Sequence, residues 1–427
     1  MKKVISVMFG PLLLFASCNE NLIDNIRPET KKDVESCNPN FRNYEAALDI
    51  AKKQIFGSET RTASIPKVRE HYVYKPSPLT RNVTDSADVA FHVINFENEQ
   101  GFAIISADKR AVPVYAYSEE GNINLYDAVE ESGWGDFMDM AGEHYVSTLA
   151  MELPPFINPQ DSIIGGHNYG DIPQLAIDYL NGVRCRVRTT DTYYNYGTRL
   201  FTLWDQCSPY NYYYPDAEYL LPGFGGRIPA GCAPVSIGQI MAYHEFPLSY
   251  QGFTFNWELI KSKQTYSQDE ITGASLNTAQ LLRCIADLGN ANFERLSGME
   301  ISGMIEVFQA MGYHATVASF SSEILKNDFT THNNPVIIGG ERPADNFKHV
   351  WIVDEYRKKH TTLTYYYDEP PYNIYETFDS DTHYFHCNWG SGASNPSAYC
   401  LNVFESPNGE TYSNSQIIIY NISPNNQ

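Results

Sequence analysis

Positive charge is scarce in this sequence: 30 lysines and arginines stand against 51 aspartates and glutamates, a formal net charge of −21. Most of such a surface repels a phosphate backbone, which argues against nucleic acid as a partner. Cysteine is sparse too, eight in 427 residues with no Cys-x-x-Cys pair. That removes the usual signatures of a disulfide scaffold, a zinc ribbon and a thioredoxin-type redox site. Beyond Cys18 there is no run of eighteen apolar residues, so no membrane-spanning helix is expected in the body of the chain. Apolar and aromatic mass is what the chain does have, 43% and 14% of its residues. That is enough for two or three buried cores and argues against global disorder.

The first eighteen residues address the compartment. Lys2 and Lys3 precede an apolar stretch from Val4 to Ala16, the length of a secretory signal core and too short to cross a bilayer. It ends in Phe15-Ala16-Ser17-Cys18, which resembles the lipobox of bacterial lipoproteins, with phenylalanine where leucine is commonest. The reading is a signal peptide over 1–17, lipidation of Cys18 and a polar tether over 18–40. The protein is then expected in the bacterial cell envelope, at the outer membrane and cell surface or in the periplasm, held to the membrane through its lipid anchor. Seven cysteines remain, and an odd number in an exported chain points to a free thiol.

Leu48, Ala51 and Ile55 fall at helical spacing and Gly57 offers a stop, which predicts a helix over 44–56. Strand-like runs follow at 89–96, 101–107 and 112–117, with 97–100 as a hairpin loop. A cluster of Pro and Gly between 154 and 170 marks a domain junction. Beyond an irregular stretch, 204–214, and the glycine-rich loop at 222–226, Gly231-Cys232-Ala233-Pro234 leads into apolar residues at helical spacing. Proline is tolerated only in a first turn, which sets Cys232 at a helix N-terminus. Further helices are predicted over 278–288 and 303–311, then strands at 336–338, 350–353, 363–367, 384–389, 399–404 and 416–422.

A cysteine attacks as thiolate, and a helix N-terminus and a neighbouring imidazolium both lower its pKa. Cys232 has the first by position. His349, just ahead of the strand Val350-Trp351-Ile352-Val353, is the best source of the second, although it lies 117 residues further on.

Ala230-Gly231-Cys232-Ala233-Pro234-Val235 through His244 resembles the nucleophile helix of the streptopain family, secreted papain-like cysteine proteases of bacteria. Three more segments agree in order: Trp204-Asp205-Gln206-Cys207, Lys348-His349-Val350-Trp351, and His386-Cys387-Asn388-Trp389-Gly390. Upstream, Val93-Ile94-Asn95-Phe96 and Gly101-Phe102-Ala103-Ile104 resemble the inhibitory prodomain of the same proteases. The resemblance implies an α+β chain: a small α+β prodomain over 41–175, its boundary between 165 and 195, then a papain-like two-lobed catalytic domain over 190–427, a helical lobe against an antiparallel β-barrel-like lobe. It implies Cys232 as nucleophile, His349 as base, Gln206 at the oxyanion, Asn388 orienting the imidazole and Trp389 shielding it. Protein or peptide substrates, an intramolecular prodomain inhibitor and no cofactor or metal follow from it. The chain departs from the family at Ala233-Pro234-Val235, at Asp354-Glu355 and after Trp389-Gly390, so substrate preference does not carry over.

Other constellations have plainer readings. His383 and His386 would point to opposite faces of a strand, unsuited to one metal. His244 is three turns from Cys232 and reads as a packing residue. The 31 tyrosines are ordinary strand material. The alternative to a peptidase made as a zymogen is a non-catalytic surface binding protein on a decayed protease fold. Retention of Cys232, His349, Gln206 and Asn388 together favours the enzyme.

Overall fold

The computed structural model of the chain describes residues 26–28, 40–57, 66–74, 89–123, 133–150, 185–217, 223–293, 298–342, 347–367, 375–392, 396–404 and 416–425. The signal segment, Cys18 and the junction at 154–170 lie outside the described residues. Inside the expected tether, Ile26–Pro28 forms a strand, β1, paired with Tyr72–Tyr74.

Helix α1 (Tyr44–Phe56) occupies the predicted span. The Asn43 side chain accepts the Ala46 N–H at 3.0 Å and fixes its start, while Ala47, Ile50 and Ala51 form the buried stripe. The meander it covers is β2 (Val68–Tyr74), β3 (Phe91–Phe96), β4 (Phe102–Ser106) and β5 (Val114–Ser118), each antiparallel to the next. Strands β3, β4 and β5 are buried along their whole length, because helices lie on both faces. Phe96 meets Phe56 of α1, whereas Phe91 and Phe102, on the other face, meet Tyr145 and Trp134 of α2 (Gly133–Ala150). The sequence reading gave no helix here: Gly133, Gly135 and Gly142 depress helix propensity. The spacing of Trp134, Phe137, Met138, Ala141 and Tyr145 nevertheless buries one face and holds it.

After β6 (Cys185–Gly197) come the helices of the second core: α3 (Cys232–His244), α4 (Trp257–Ile260), α5 (Gly273–Leu288) and α6 (Ile301–Ala310), with the small hairpin β7 (Ser249–Tyr250) and β8 (Phe253–Thr254) between the first two. Helix α5 begins at Gly273 rather than Thr278, since Thr272 and Ser275 cap each other reciprocally. Ile237, Ile240 and Met241 of α3 pack with Leu281, Leu282 and Ile285 of α5 and with Val307 and Phe308 of α6.

The remaining elements are β9 (Tyr313–Ser319), α7 (Ser322–Thr331), β10 (Val336–Arg342), β11 (Phe347–Tyr367), β12 (Tyr375–Asn388), β13 (Ala398–Leu401) and β14 (Ile417–Pro424). The two runs expected at 350–353 and 363–367 are parts of one strand, β11, with a bulge between Val353 and Glu355. Its distal part is flanked by β6 and β12. The overall class is the expected α+β, a helical lobe against antiparallel strands with a helix and meander ahead of it. One twelve-stranded sheet runs β1-β2-β3-β4-β5-β13-β12-β11-β10-β14-β9, with β6 beside β11. The upstream and downstream halves meet at β5 and β13, where Tyr117 faces Tyr399 and Ala116 faces Cys400. A single apolar core crosses that seam, joining Phe102 and Trp134 to Trp351, Trp389 and Phe404.

Candidate active site

Cys232 is the first residue of α3, and Gly231 before it has φ +87°, a conformation in which a side chain is strained. Ala233 through Ala242 are buried, so the helix body is anchored on all sides while Cys232 at its tip is only partly covered. Burial raises the pKa of its thiol, and hydrogen bonds from the backbone N–H groups of Val350, Ala233 and Cys232 itself pull it back, as the N-terminus of a helix should. A further upward push comes from the Asp136 carboxylate of α2. Helix α3 packs against β11, the strand that carries His349 near its start.

His349 is 2% exposed. Its Nε2 stands 3.2 Å from the Trp389 carbonyl oxygen, and its ring lies parallel to that of Trp351, 6.3 Å between centroids. Trp351 and Trp389 are 5.6 Å apart and both fully buried, so the imidazole lies beside a buried aromatic wall.

Gln206 is partly buried in the irregular segment after Trp204. Asp205 Oδ1 accepts the N–H groups of Gln206 at 2.6 Å and Cys207 at 3.2 Å, tying this turn. The Gln206 carbonyl accepts the Ala230 N–H at 2.9 Å, which clips the segment to the loop entering α3. Burial and Asp205 hold the neighbouring Cys207 thiol protonated.

Asn388 ends β12. Its Nδ2 donates to the Thr202 carbonyl at 3.0 Å and to Gln239 Oε1 at 3.2 Å, and its Oδ1 accepts the Gly390 N–H at 3.1 Å. These bonds brace the turn that offers the Trp389 carbonyl to His349. The structure therefore brings the Cys232, His349, Trp389 and Asn388 segments together at one end of α3, with Gln206 beside them.

Gln239 was missed in the sequence. It is fully buried, and its Oε1 also accepts the Trp204 N–H at 3.1 Å, linking α3, the Gln206 segment and Asn388. It stands two helical turns after Cys232 on the same face, a placement that could have flagged it. Asp354 was missed too: one carboxylate oxygen lies 2.5 Å from His386 Nδ1 and the other accepts the Leu200 N–H at 2.8 Å. His383 turns the other way, to the Tyr356 hydroxyl at 2.8 Å. Among the described residues no His, Cys, Asp or Glu cluster is arranged to hold a metal ion.

Helix α2 closes one side of the site. Trp134 and Phe137 lie against Trp389, at 5.5 and 6.2 Å between centroids, and Trp134 Nε1 donates to the Pro396 carbonyl at 3.1 Å.

Comparison with known proteins finds two family matches. Residues 34–140 match the family model of the Spi protease inhibitor, and residues 204–288 match that of the Peptidase C10 family. The chain thus resembles a Spi-type inhibitor over its upstream part and the Peptidase C10 family over the segment that carries Gln206 and Cys232. It is 21% identical over 441 residues to the thiol protease/hemagglutinin PrtT of Porphyromonas gingivalis, covering 93% of this chain and 42% of that protein. The chain thus spans less than half the length of that curated relative. Among solved structures, a fragment of Prevotella intermedia prointerpain A is 15% identical, covers 77% of this chain and 94% of its own, and has a TM-score of 0.49. Active interpain A from the same organism is 16% identical over 53% of this chain and 94% of its own, with a TM-score of 0.39. The matched family is one of peptidases, and the curated relative is named a thiol protease.

Proposed function

We propose that this protein is a cysteine endopeptidase made as a latent precursor, in which residues from about 41 to 175 form a removable inhibitory prodomain. The observation that carries the reading is the seating of His349, whose Nε2 lies 3.2 Å from the Trp389 carbonyl oxygen, on a strand that packs against α3, the helix begun by Cys232. In the reaction, His349 takes the Cys232 proton, the thiolate attacks the peptide carbonyl, and the imidazolium returns the proton to the leaving amine. Water then attacks the thioester with His349 again as base. The Cys232 N–H and the Gln206 amide stabilise each tetrahedral oxyanion. Asn388 holds the turn whose carbonyl orients the imidazole, and Trp389 keeps water from that contact.

Latency has a physical basis in α2. Its side chains cover Trp389, and the Asp136 carboxylate disfavours the thiolate at Cys232. Export and lipid attachment at Cys18 complete the proposal, supported by the charged, apolar and small-residue order of the first eighteen residues.

The test is labelling with an epoxysuccinyl peptide before and after limited proteolysis of the full chain, with Cys232→Ala beside it. Labelling that appears on processing and vanishes in the variant is expected. Equal silence in every processed sample would move the assignment to a binding protein.

A further inference from the structure

The seam between the two halves carries a recognition surface of its own. On the downstream side, the Tyr399 hydroxyl donates to Glu355 Oε1 at 2.6 Å and accepts from Arg357 Nη2 at 2.7 Å and Arg199 Nη2 at 2.9 Å. The Arg357 guanidinium lies over the Tyr399 ring at 3.8 Å and donates to Asn195 of β6 at 2.8 Å. This cluster is built without any upstream residue. It sets two guanidinium groups against one carboxylate in a chain whose formal net charge is −21.

The upstream half supplies what is lacking. Tyr117 of β5 stacks on Tyr399 at 5.2 Å between centroids, and its hydroxyl accepts from Arg357 at 2.9 Å. Glu119, in the bend just past the end of β5, meets Arg357 at 3.2 Å and Arg199 at 3.4 Å. Between them, β5 extends the sheet antiparallel to β13.

Removal of the prodomain leaves β13 as an edge, Ala398-Tyr399-Cys400-Leu401, apolar and now fully covered. An open apolar edge is a template for another strand, and this one has beside it an aromatic shelf and two guanidinium groups that share a single carboxylate, Glu355. We infer that in the processed enzyme the β13 edge, with Tyr399, Arg199 and Arg357, is an exosite for an extended segment of protein substrate carrying an aromatic residue and, two positions later, a carboxylate. The inference rests on the proposed removal of the prodomain, and β5 is then a built-in mimic of the substrate segment. Strand addition supplies main-chain hydrogen bonds of no sequence preference, while the aromatic and acidic side chains set the choice.

A synthetic peptide spanning residues 115–120 tests this on protein processed from the full chain. The peptide should slow hydrolysis of an unfolded protein substrate and leave a short fluorogenic substrate untouched. Its Tyr117→Ala and Glu119→Lys forms should bind about tenfold more weakly, the scale of a lost charge-assisted hydrogen bond or aromatic contact. These changes are in the peptide, so folding of the enzyme does not enter. Equal inhibition of both substrates, equal binding by all three peptides, or no binding at all would overturn the exosite. If the short substrate is not hydrolysed at all, it is the peptidase reading that fails. Fluorescence anisotropy of the labelled peptides on the same protein then still decides the surface.

Discussion

Gly133 lies directly against the indole of Trp389: a Cβ built on it would sit 2.2 Å from the ring's Cε3. No side chain fits there, so the first turn of α2 reaches the residue beside the proposed catalytic histidine only because position 133 is glycine.

Gly133→Val is therefore expected to lift α2 from Trp389 and weaken latency. Full-length protein carrying it should hydrolyse a short peptide substrate before any processing, while the processed enzyme is unchanged. A full-length variant as silent as the parent would show that α2 does not hold the latent state.

Asp136→Asn removes the negative charge that raises the Cys232 thiol. With that charge gone, the pH midpoint for alkylation of Cys232 in the full chain should move down. Iodoacetamide labelling across pH, read at Cys232 by mass spectrometry, measures it. An unmoved midpoint would remove electrostatics from the account of latency.

Three histidines make the upstream half sensitive to acid. His71 and His92 face each other at 3.0 Å, and burial lowers their pKa to about 3 and about 4; His144, beside the Tyr115 hydroxyl, is lowered to about 4 by burial. The unfolded chain takes up these protons near 6.5 while the folded chain refuses them. Their contribution is therefore complete above pH 6.5 and is lost as pH falls from there toward 4, by up to about 1.4 kcal/mol per pH unit for each histidine. His244 and His383 of the downstream half are lowered to about 4 as well, so a local probe is needed. Hydrogen exchange at β3 and β4 should accelerate between pH 6.5 and 4.5, less so in a His92→Asn variant. Exchange independent of pH after correction for the intrinsic rate would refute the effect.

Gln239→Leu keeps the volume of the α3 side chain and deletes the acceptor shared by Trp204 and Asn388. Two buried donors lose a partner, at a cost of about 1–3 kcal/mol each. A lower Tm together with a fall in kcat greater than any change in KM is expected, since the turn presenting the Trp389 carbonyl loosens. Unchanged unfolding and kinetics would show that the brace is redundant.

Much of this was legible from local pattern. Helix α1 follows from apolar spacing and a glycine stop, the β3–β5 meander from strand-like runs and a hairpin loop, and the placement of Cys232 at a helix start from Gly231 and Pro234. Helix α2, strand β6 and the full length of β11 were not. Their residues are glycine-rich or polar and gain order from partners far away: α2 from Phe91, Phe102 and Trp389, and β6 from its pairing with β11.

The sequence by itself determined the chemistry available: a thiol at a helix tip, an imidazole at a strand end, an amide-bearing segment upstream and an Asn-Trp-Gly turn downstream. These are properties of residue type and local backbone. Only the tertiary structure decided which of them meet, that Asn388 serves the turn through Thr202 and Gln239, and that Asp136 and Gly133 reach the site from α2. Contacts between residues so distant in the chain depend on how sheets and helices pack, and no local pattern records that.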